Sequence, residues 1–332
     1  MRPAALLLLA TLPALAQPKK LVNAQVDTRS ASAGLDGAIR PLLNAQPQPA
    51  WVGYIVPAAR GRMFGCDNYY RDGEFTVAGG TVHLEPPREL LVLLRIDANQ
   101  VGRIRTMAPD CDIDAGGVPL HWLTDVQPAQ SVAFLATFVG TTDRSLDSVM
   151  NAIGMHADAS ADLALERFVA AGQPEQVRLK AITWLGLTRS RRGFDALKKL
   201  LATDTSDRVR ERVVQTLATS KEPEGIDLVI AAARNDASPR VRGQALSSLS
   251  RQAGQKALAP IQQAIDNDPE REVKRRAVSA LQQMPNGEGI PMLIQVARNS
   301  KDADVRKQAM NSLGQSRDQR AISFFEEVLK RP

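Results

Sequence analysis

The chain has 332 residues, 44% hydrophobic and 23% charged, a balance that excludes disordered and collagen-like classes and belongs to ordinary globular proteins. The formal charge of +6 is small and unevenly placed: residues 17–144 carry 12 Lys and Arg against 13 Asp and Glu, and residues 145–332 carry 29 against 23. An excess of that size gives no footing for a nucleic-acid partner, and none is expected.

The opening stretch, MRPAALLLLATLPALAQ, has one early charge at Arg2, a short apolar run and then Ala14-Leu15-Ala16. That is the pattern of an export signal over residues 1–16, cut before Gln17. The run is shorter than the roughly 20 residues that span a bilayer, and no later segment is longer. The mature protein is therefore expected to be secreted or periplasmic and not membrane-spanning. No cysteine stands at the cleavage point, so no lipid anchor is indicated.

Residues 19–140 read as a small α+β domain. GLDGAIRPLLNAQ has helical spacing, with Leu35, Ile39, Leu42 and Leu43 on one side. AWVGYIVP and TVHLE read as strands, and ELLVLLRIDANQVGRIRTM reads as a hairpin around DANQ. VPLHWLTDV is a further strand, and QPAQSVAFLATFV a closing helix. Cys66 and Cys111 are the only cysteines, and an exported chain favours joining them. The loop they close is long enough for chain entropy to contribute about 4 kcal/mol. Among the aromatics, Trp51, Tyr54, Tyr69, Tyr70 and Trp122 fall in this half; core packing is their commoner use, and a sugar or peptide platform the alternative.

Metal and catalytic patterns are sparse. His83, His121 and His156 share no ligand-like spacing, although Glu85 and Asp158 stand two residues beyond the first and third. PDCDIDAGG places Asp110, Asp112 and Asp114 in alternation like half of a calcium loop. The match then fails, with Ala115 where glycine is wanted and His121 where the bidentate glutamate belongs. Neither a G-x-S-x-G nor a phosphate-loop motif occurs. No metal or other cofactor is expected.

After GTTDRS the chain changes to helices with a strict period, the step from Val177 to Val209. Val177, Val209, Val241, Val273 and Val305 form one column. Ala181, Val213, Ala245, Ala277 and Ala309 follow four residues later, and Leu185, Leu217, Leu249, Leu281 and Leu313 four later again. Steps of four put the three columns on one stripe. A companion helix starts near Gly193, Gly225, Ala257, Gly289 and Ala321. One period earlier Val149, Ile153 and Phe168 keep a faded version, making about six units with a degenerate first one. A lone helix pair cannot bury its stripe, so stacking must do it: residues 145–332 are expected to form an α-solenoid.

With their Val followed by Arg or Lys, these units resemble HEAT repeats of the short phycobilin-lyase-related type. In such arrays an aspartate between helices and a helix arginine typically form a hydrogen-bonded ladder. The matching residues here are Asp204 six ahead of Arg210, Asp236 ahead of Arg242 and Asp268 ahead of Lys274. Gly172 and Ser300 replace aspartate at two of the five positions. Each of these cations follows a core valine, about 100° round the helix, where its stem can cover apolar surface. The ladder is accordingly read as structural.

Opposite the stripe lie Arg208, Arg212, Gln215, Arg240, Gln244, Arg275, Arg276 and Lys307. The resemblance implies that this face lines the concave side, a habitual binding surface. The expected function is an exported scaffold without catalysis that binds a protein or peptide there. The alternative is a lyase-like or oxidoreductase-like enzyme that handles a cofactor. Some HEAT-like proteins hold a di-iron centre through adjacent His-Glu pairs, and this chain has no adjacent His-Glu.

Overall fold

The computed structural model describes residues 20–45, 48–59, 66, 68–71, 74–77, 85, 87–140 and 143–330. The export signal, His83 and most of TVHLE lie outside the described residues, as do the side chains of Tyr69 and Tyr70. By its internal contacts the chain divides into two compact units, residues 1–161 and 162–332. No helix among the described residues is long and apolar enough to cross a membrane.

The first unit is built on a five-stranded sheet. Its strands are β2 (Val26–Ser30), β3 (Ala50–Pro57), β6 (Glu89–Asp97), β7 (Gln100–Met107) and β9 (Leu120–Thr124), in the order β2-β9-β3-β6-β7. β9 runs parallel to both β2 and β3, and β6 is antiparallel to β3 and β7. Two short pairs accompany it, β1 (Lys20–Val22) with β8 (Asp112–Asp114) and β4 (Asn68–Arg71) with β5 (Glu74–Val77). The β6–β7 turn places Ala98 and Asn99 at positive φ, the twist a two-residue hairpin needs.

β3 and β6 are the centre because both of their faces are apolar. Val52, Tyr54, Leu90, Val92, Leu94 and Ile96 fill one face. Leu91, Leu93, Met107, Leu120 and Trp122 fill the other, together with Cys111. Trp122 crosses β3 at Gly53, where a Cβ would sit 2.9 Å from its ring, so only glycine lets the indole close the core. Cys66 and Cys111 form a disulfide with 5.3 Å between Cα atoms, and Cys66 packs on the same cluster.

α1 (Leu35–Ala45), α2 (Pro128–Ala136) and α3 (Asp143–Met155) complete the unit. α3 packs on β7, and its Asn151 amide donates to Thr106 Oγ1 at 3.0 Å. Val149 and Ile153, read in sequence as the faded repeat, are buried in this setting. β2 escapes detection in the sequence because all five of its residues are exposed and no apolar alternation marks it.

The second unit is helical throughout. α4 (Ala159–Phe168) carries the division between the units, and five pairs follow it. The Val-Arg helices are α5 (Glu175–Thr188), α7 (Asp207–Ala218), α9 (Pro239–Gln252), α11 (Arg271–Gln282) and α13 (Ala303–Gln315). Their companions are α6 (Ser190–Thr203), α8 (Glu224–Asn235), α10 (Leu258–Asn267), α12 (Ile290–Asn299) and α14 (Gln319–Lys330). Each Val-Arg helix packs on the next, and each companion from α6 to α12 packs on the Val-Arg helices before and after it. The columns Val209, Val241, Val273 and Val213, Ala245, Ala277 are fully buried. This is an α-solenoid preceded by a disulfide-braced α+β unit, as the repeat period predicts.

Candidate functional site

The ladder determines which faces of the Val-Arg helices are spent on the fold. Asp204, Asp236 and Asp268 each end a companion helix in extended conformation. From there each accepts the amide of the residue two further on: Ser206 at 2.9 Å, Ser238 at 2.8 Å and Glu270 at 2.9 Å. This satisfies one of the orphan donors at the start of the next Val-Arg helix.

The arginines close the ladder from the previous unit. Arg210 donates from Nε and Nη2 to the two carboxylate oxygens of Asp236, both at 2.9 Å. Arg242 does the same to Asp268 at 2.7 and 2.9 Å, and Arg178 pairs with Asp204. The free Nη1 turns back into its own unit, from Arg210 to the Asp204 carbonyl at 2.8 Å and from Arg242 to the Asp236 carbonyl at 2.9 Å. So the aspartate six residues ahead supplies only its carbonyl, and the carboxylate partner stands 26 residues later. That refines the pairing read from sequence. Lys274 reaches only the Asp266 carbonyl, at 3.4 Å, and the carboxylate position of its rung is taken by Ser300.

The two ends of the ladder differ in charge behaviour as this geometry requires. Burial raises the Asp236 carboxyl, but the Arg210 fork and the Ser238 amide outweigh it, and the group is held below the usual aspartate range. Arg242 is pushed up by its bonds to Asp268 against the desolvation that lowers it.

The opposite face of the same helices carries the predicted binding residues. Arg208, Arg240, Arg275 and Lys307 are exposed, and Arg212, Gln215, Gln244 and Arg276 are half-buried. Several of them are partly spent on partners in their own or the preceding Val-Arg helix. Arg208 meets Glu175 at 2.8 Å, Arg240 meets Glu211 at 3.1 Å, Gln244 donates to Ser248 at 3.2 Å and Arg276 donates to Glu272 at 3.2 Å. The Arg276 stem lies across α9 at Gly243, where a Cβ would come within 2.5 Å of its Cδ. Among the described residues no carboxylate lies within salt-bridge distance of Arg212, Arg275 or Lys307.

Arg275 and Lys307 are brought together, on either side of a groove of about 560 Å³ between α11 and α13. Ser279, Gln282, Gln308, Asn311 and Gln315 line it, with Asp304 at its side. Gln308 is pinned by its amide to the Arg275 carbonyl at 3.0 Å and to Ser279 Oγ at 2.9 Å, and Gln282 donates to Gln315 at 3.2 Å. Arg275 Nε donates to Gln308 Oε1 at 3.4 Å, and two cations without a carboxylate partner among fixed amides can receive carboxylates and peptide groups. Arg208, Arg212 and Gln215 on α7, and Arg240 and Gln244 on α9, lie outside this groove.

A second groove, of about 900 Å³, went unnoticed in the sequence. Val169, Ala170, Ala171, Ala196 and Leu200 line it, with Arg191, Arg192 and Lys199 and the carboxylates of Glu166 and Asp195. Ala196 and Leu200 on α6 look like ordinary packing positions and Val169, Ala170 and Ala171 fall in the turn after α4, so periodicity alone carried no signal for it.

The first unit holds no comparable constellation among its described residues. Neither unit has a group of three or more His, Cys, Asp or Glu placed to hold a metal ion among the described residues. Asp114 is occupied by the Gly116 amide at 2.8 Å and by Asn23 at 3.1 Å. His121 meets Asp27 at 3.3 Å. Tyr54, Ser131 and His156 form a fully buried chain: Tyr54 Oη lies 2.8 Å from Ser131 Oγ, which lies 2.8 Å from His156 Nε2. His156 Nδ1 is 2.7 Å from the Ala152 carbonyl and donates to it, which leaves Nε2 on Ser131 Oγ.

Comparison with known proteins bears on the helical unit. Residues 162–250 and 258–332 match the HEAT repeats family. Among solved structures, the complex of CpcE and CpcF of phycocyanin lyase from Nostoc sp. PCC7120 is 19% identical; 57% of this chain and 77% of that one are covered, with a TM-score of 0.33. Human deoxyhypusine hydroxylase in complex with glycerol is 15% identical, covering 61% and 79%, with a TM-score of 0.28. No curated protein matches the chain. The stacked pairs, their regular period and the match over both halves of the array give the helical unit an α-solenoid fold of the HEAT-repeat kind, distantly related to that family.

Proposed function

We propose that the protein is an exported scaffold that binds a protein or peptide through the exposed face of its Val-Arg helices, centred on the groove between α11 and α13. The observation that carries this is the pairing state of the face. Arg275 and Lys307 border the groove with no carboxylate partner among the described residues, while Arg178, Arg210 and Arg242 on the other side each hold an aspartate. A stacked face of that kind offers rows of side chains to an extended segment. Export rests on the sequence of residues 1–16, and the Cys66–Cys111 disulfide supports it, since such bonds persist in oxidising compartments.

Affinity capture by the full chain, compared with Arg275→Glu/Lys307→Glu and with Arg212→Glu/Arg276→Glu, tests this. A specific partner lost by the first pair supports the groove. Unchanged capture by both pairs removes the face from consideration.

A second reading, a cofactor-handling enzyme of lyase or hydroxylase type, takes its support from the names of the two similar solved structures, both enzymes. At those overlaps the likeness is one of fold. Metal analysis and a visible absorbance spectrum of the purified protein decide it: a stoichiometric metal or a bound chromophore would replace the scaffold reading.

A further inference from the structure

The groove at α4 and α6 has a counterpart two repeats further on, at α8 and α10, and the later one is much smaller: about 300 Å³ against about 900 Å³. All the residues lining both belong to the helical unit. Arg234 and Asn235 line the later groove where the earlier one has Ala170 and Ala171, and Pro260 stands where it has Ala196. Val169 and Leu200 are larger than Ala233 and Ala264 at the matching places, so the added volume comes from the other positions and from the backbone. Ala196 is also the smallest residue of its column, which continues as Leu228, Pro260, Met292 and Phe324.

The backbone widens the groove too. α6, α8, α10 and α12 all end at one repeat column, on Thr203, Asn235, Asn267 and Asn299, whereas α4 ends at Phe168, short of the Ala171 that occupies that column. Gly172 follows where Asp204, Asp236 and Asp268 stand in the next three units. The shortened end is fixed: buried Arg178 donates from Nε to the Val169 carbonyl at 2.9 Å while its Nη2 holds Asp204. The carboxylates lining the groove are all matched. Glu166 is held by Arg192 at 2.7 Å, Asp195 by Arg191 at 3.1 Å, and Asp204 by Arg178. Lys199 is the cation left over, since among the described residues no carboxylate lies within salt-bridge distance of it.

We propose that this groove binds a small amphipathic anion, a carboxylate carrying an apolar chain or ring system, with the apolar body against Ala170, Ala171, Ala196 and Leu200 and the anionic end at Lys199 Nζ. The volume suits such a ligand, because small-molecule sites run to roughly 300–1,000 Å³ and are mostly apolar with a few polar groups. The charges set its sign. With the three carboxylates already tied to arginines, a cationic ligand would meet Lys199 with nothing to offset it, and an anion gains a charge-assisted hydrogen bond. The groove shares no residue with the one between α11 and α13, so the two sites stand or fall separately.

The probe is anilinonaphthalene sulfonate, an aromatic monoanion whose fluorescence rises in apolar surroundings, titrated into the full chain. Saturable binding is expected, displaced by decanoate and not by decylamine. Ala196→Met gives the groove the side chain that Met292 supplies in the same column. That change and Lys199→Glu are each expected to weaken binding about tenfold, and Lys199→Arg to retain most of it. Ala170→Gln, at an exposed position, fills the groove from another place and serves if near-ultraviolet circular dichroism shows Ala196→Met unfolded. No saturable binding, or binding indifferent to the filling variants, overturns the site. Binding that those variants abolish but Lys199→Glu leaves unchanged, or that decylamine displaces as well as decanoate, overturns the anion. Self-association in ultracentrifugation that Ala196→Met abolishes makes a second copy the occupant and overturns the small ligand.

Discussion

Arg242 and Asp268 are joined by two parallel hydrogen bonds of 2.7 and 2.9 Å, and both residues are more than nine-tenths buried. The pair links α9 to the start of α11, so one contact fixes both the spacing and the rotation of successive units. A buried charge held by a planar fork costs little while paired and a great deal once its partner is gone.

Arg242→Ala is therefore expected to lower stability by about 3 kcal/mol, most of it from the stranded Asp268 carboxylate. Arg242→Met combined with Asp268→Asn keeps the amide acceptor for Glu270 and removes both charges, and is expected to cost less than the single change. Denaturant unfolding of the three proteins measures the difference. A double variant at least as unstable as Arg242→Ala would count against a coupled pair.

The joint between α11 and α13 lacks this contact, since Lys274 faces the position of Ser300. The backbone at Ser300, with φ −60° and ψ 133°, matches Asp268 at −64° and 133°, so an aspartate there needs no rearrangement. Lys274→Arg with Ser300→Asp is expected to stabilise the unit by about 1 kcal/mol, with each single change near neutral. A thermal double-mutant cycle reads the coupling.

The ladder also makes stability depend on acid. Asp236 is held below the usual aspartate range, so its contribution is complete above the unfolded value of about 3.9 and is lost as the pH falls through the lower, folded value. Asp236→Asn is expected to be less stable than the wild type at neutral pH and to lose less between about pH 5 and about pH 2. Denaturation midpoints across that window give the slopes.

In the first unit, Ser131 is the link shared by Tyr54 and His156. Ser131→Ala removes a partner from two buried polar groups and is expected to cost about 2–4 kcal/mol. Tyr54→Phe removes only the hydroxyl at the end of the chain and is expected to cost about 1 kcal/mol. Burial pushes the Tyr54 hydroxyl above its ordinary range against the Ser131 bond that lowers it, so its absorbance should not titrate before the protein unfolds in alkali.

Breaking the disulfide by Cys66→Ser with Cys111→Ser is expected to lower stability by about 2–4 kcal/mol, with the native sheet retained. Circular dichroism and a denaturant titration check both halves of that statement.

Much of this molecule was legible from periodicity. The Val, Ala and Leu columns recur at one fixed interval because each helix pair must bury the same stripe against the next, and that need writes itself into the sequence. The β3 and β6 strands were legible for a similar reason, being apolar on both faces. The exposed face of the Val-Arg helices was legible too, as whatever the stripe left over. The residue opposite each arginine was not. Sequence proximity favours Asp204 for Arg210, yet stacking carries the next unit's Asp236 into the fork and leaves Asp204 offering a carbonyl. The same offset turns Lys274 and Ser300 from two separate departures into one missing contact. Tyr54, Ser131 and His156 stand far apart in the chain and meet only because β3, α2 and the end of α3 pack together. A repeating sequence states how often a contact occurs; the translation between stacked layers decides which residues make it.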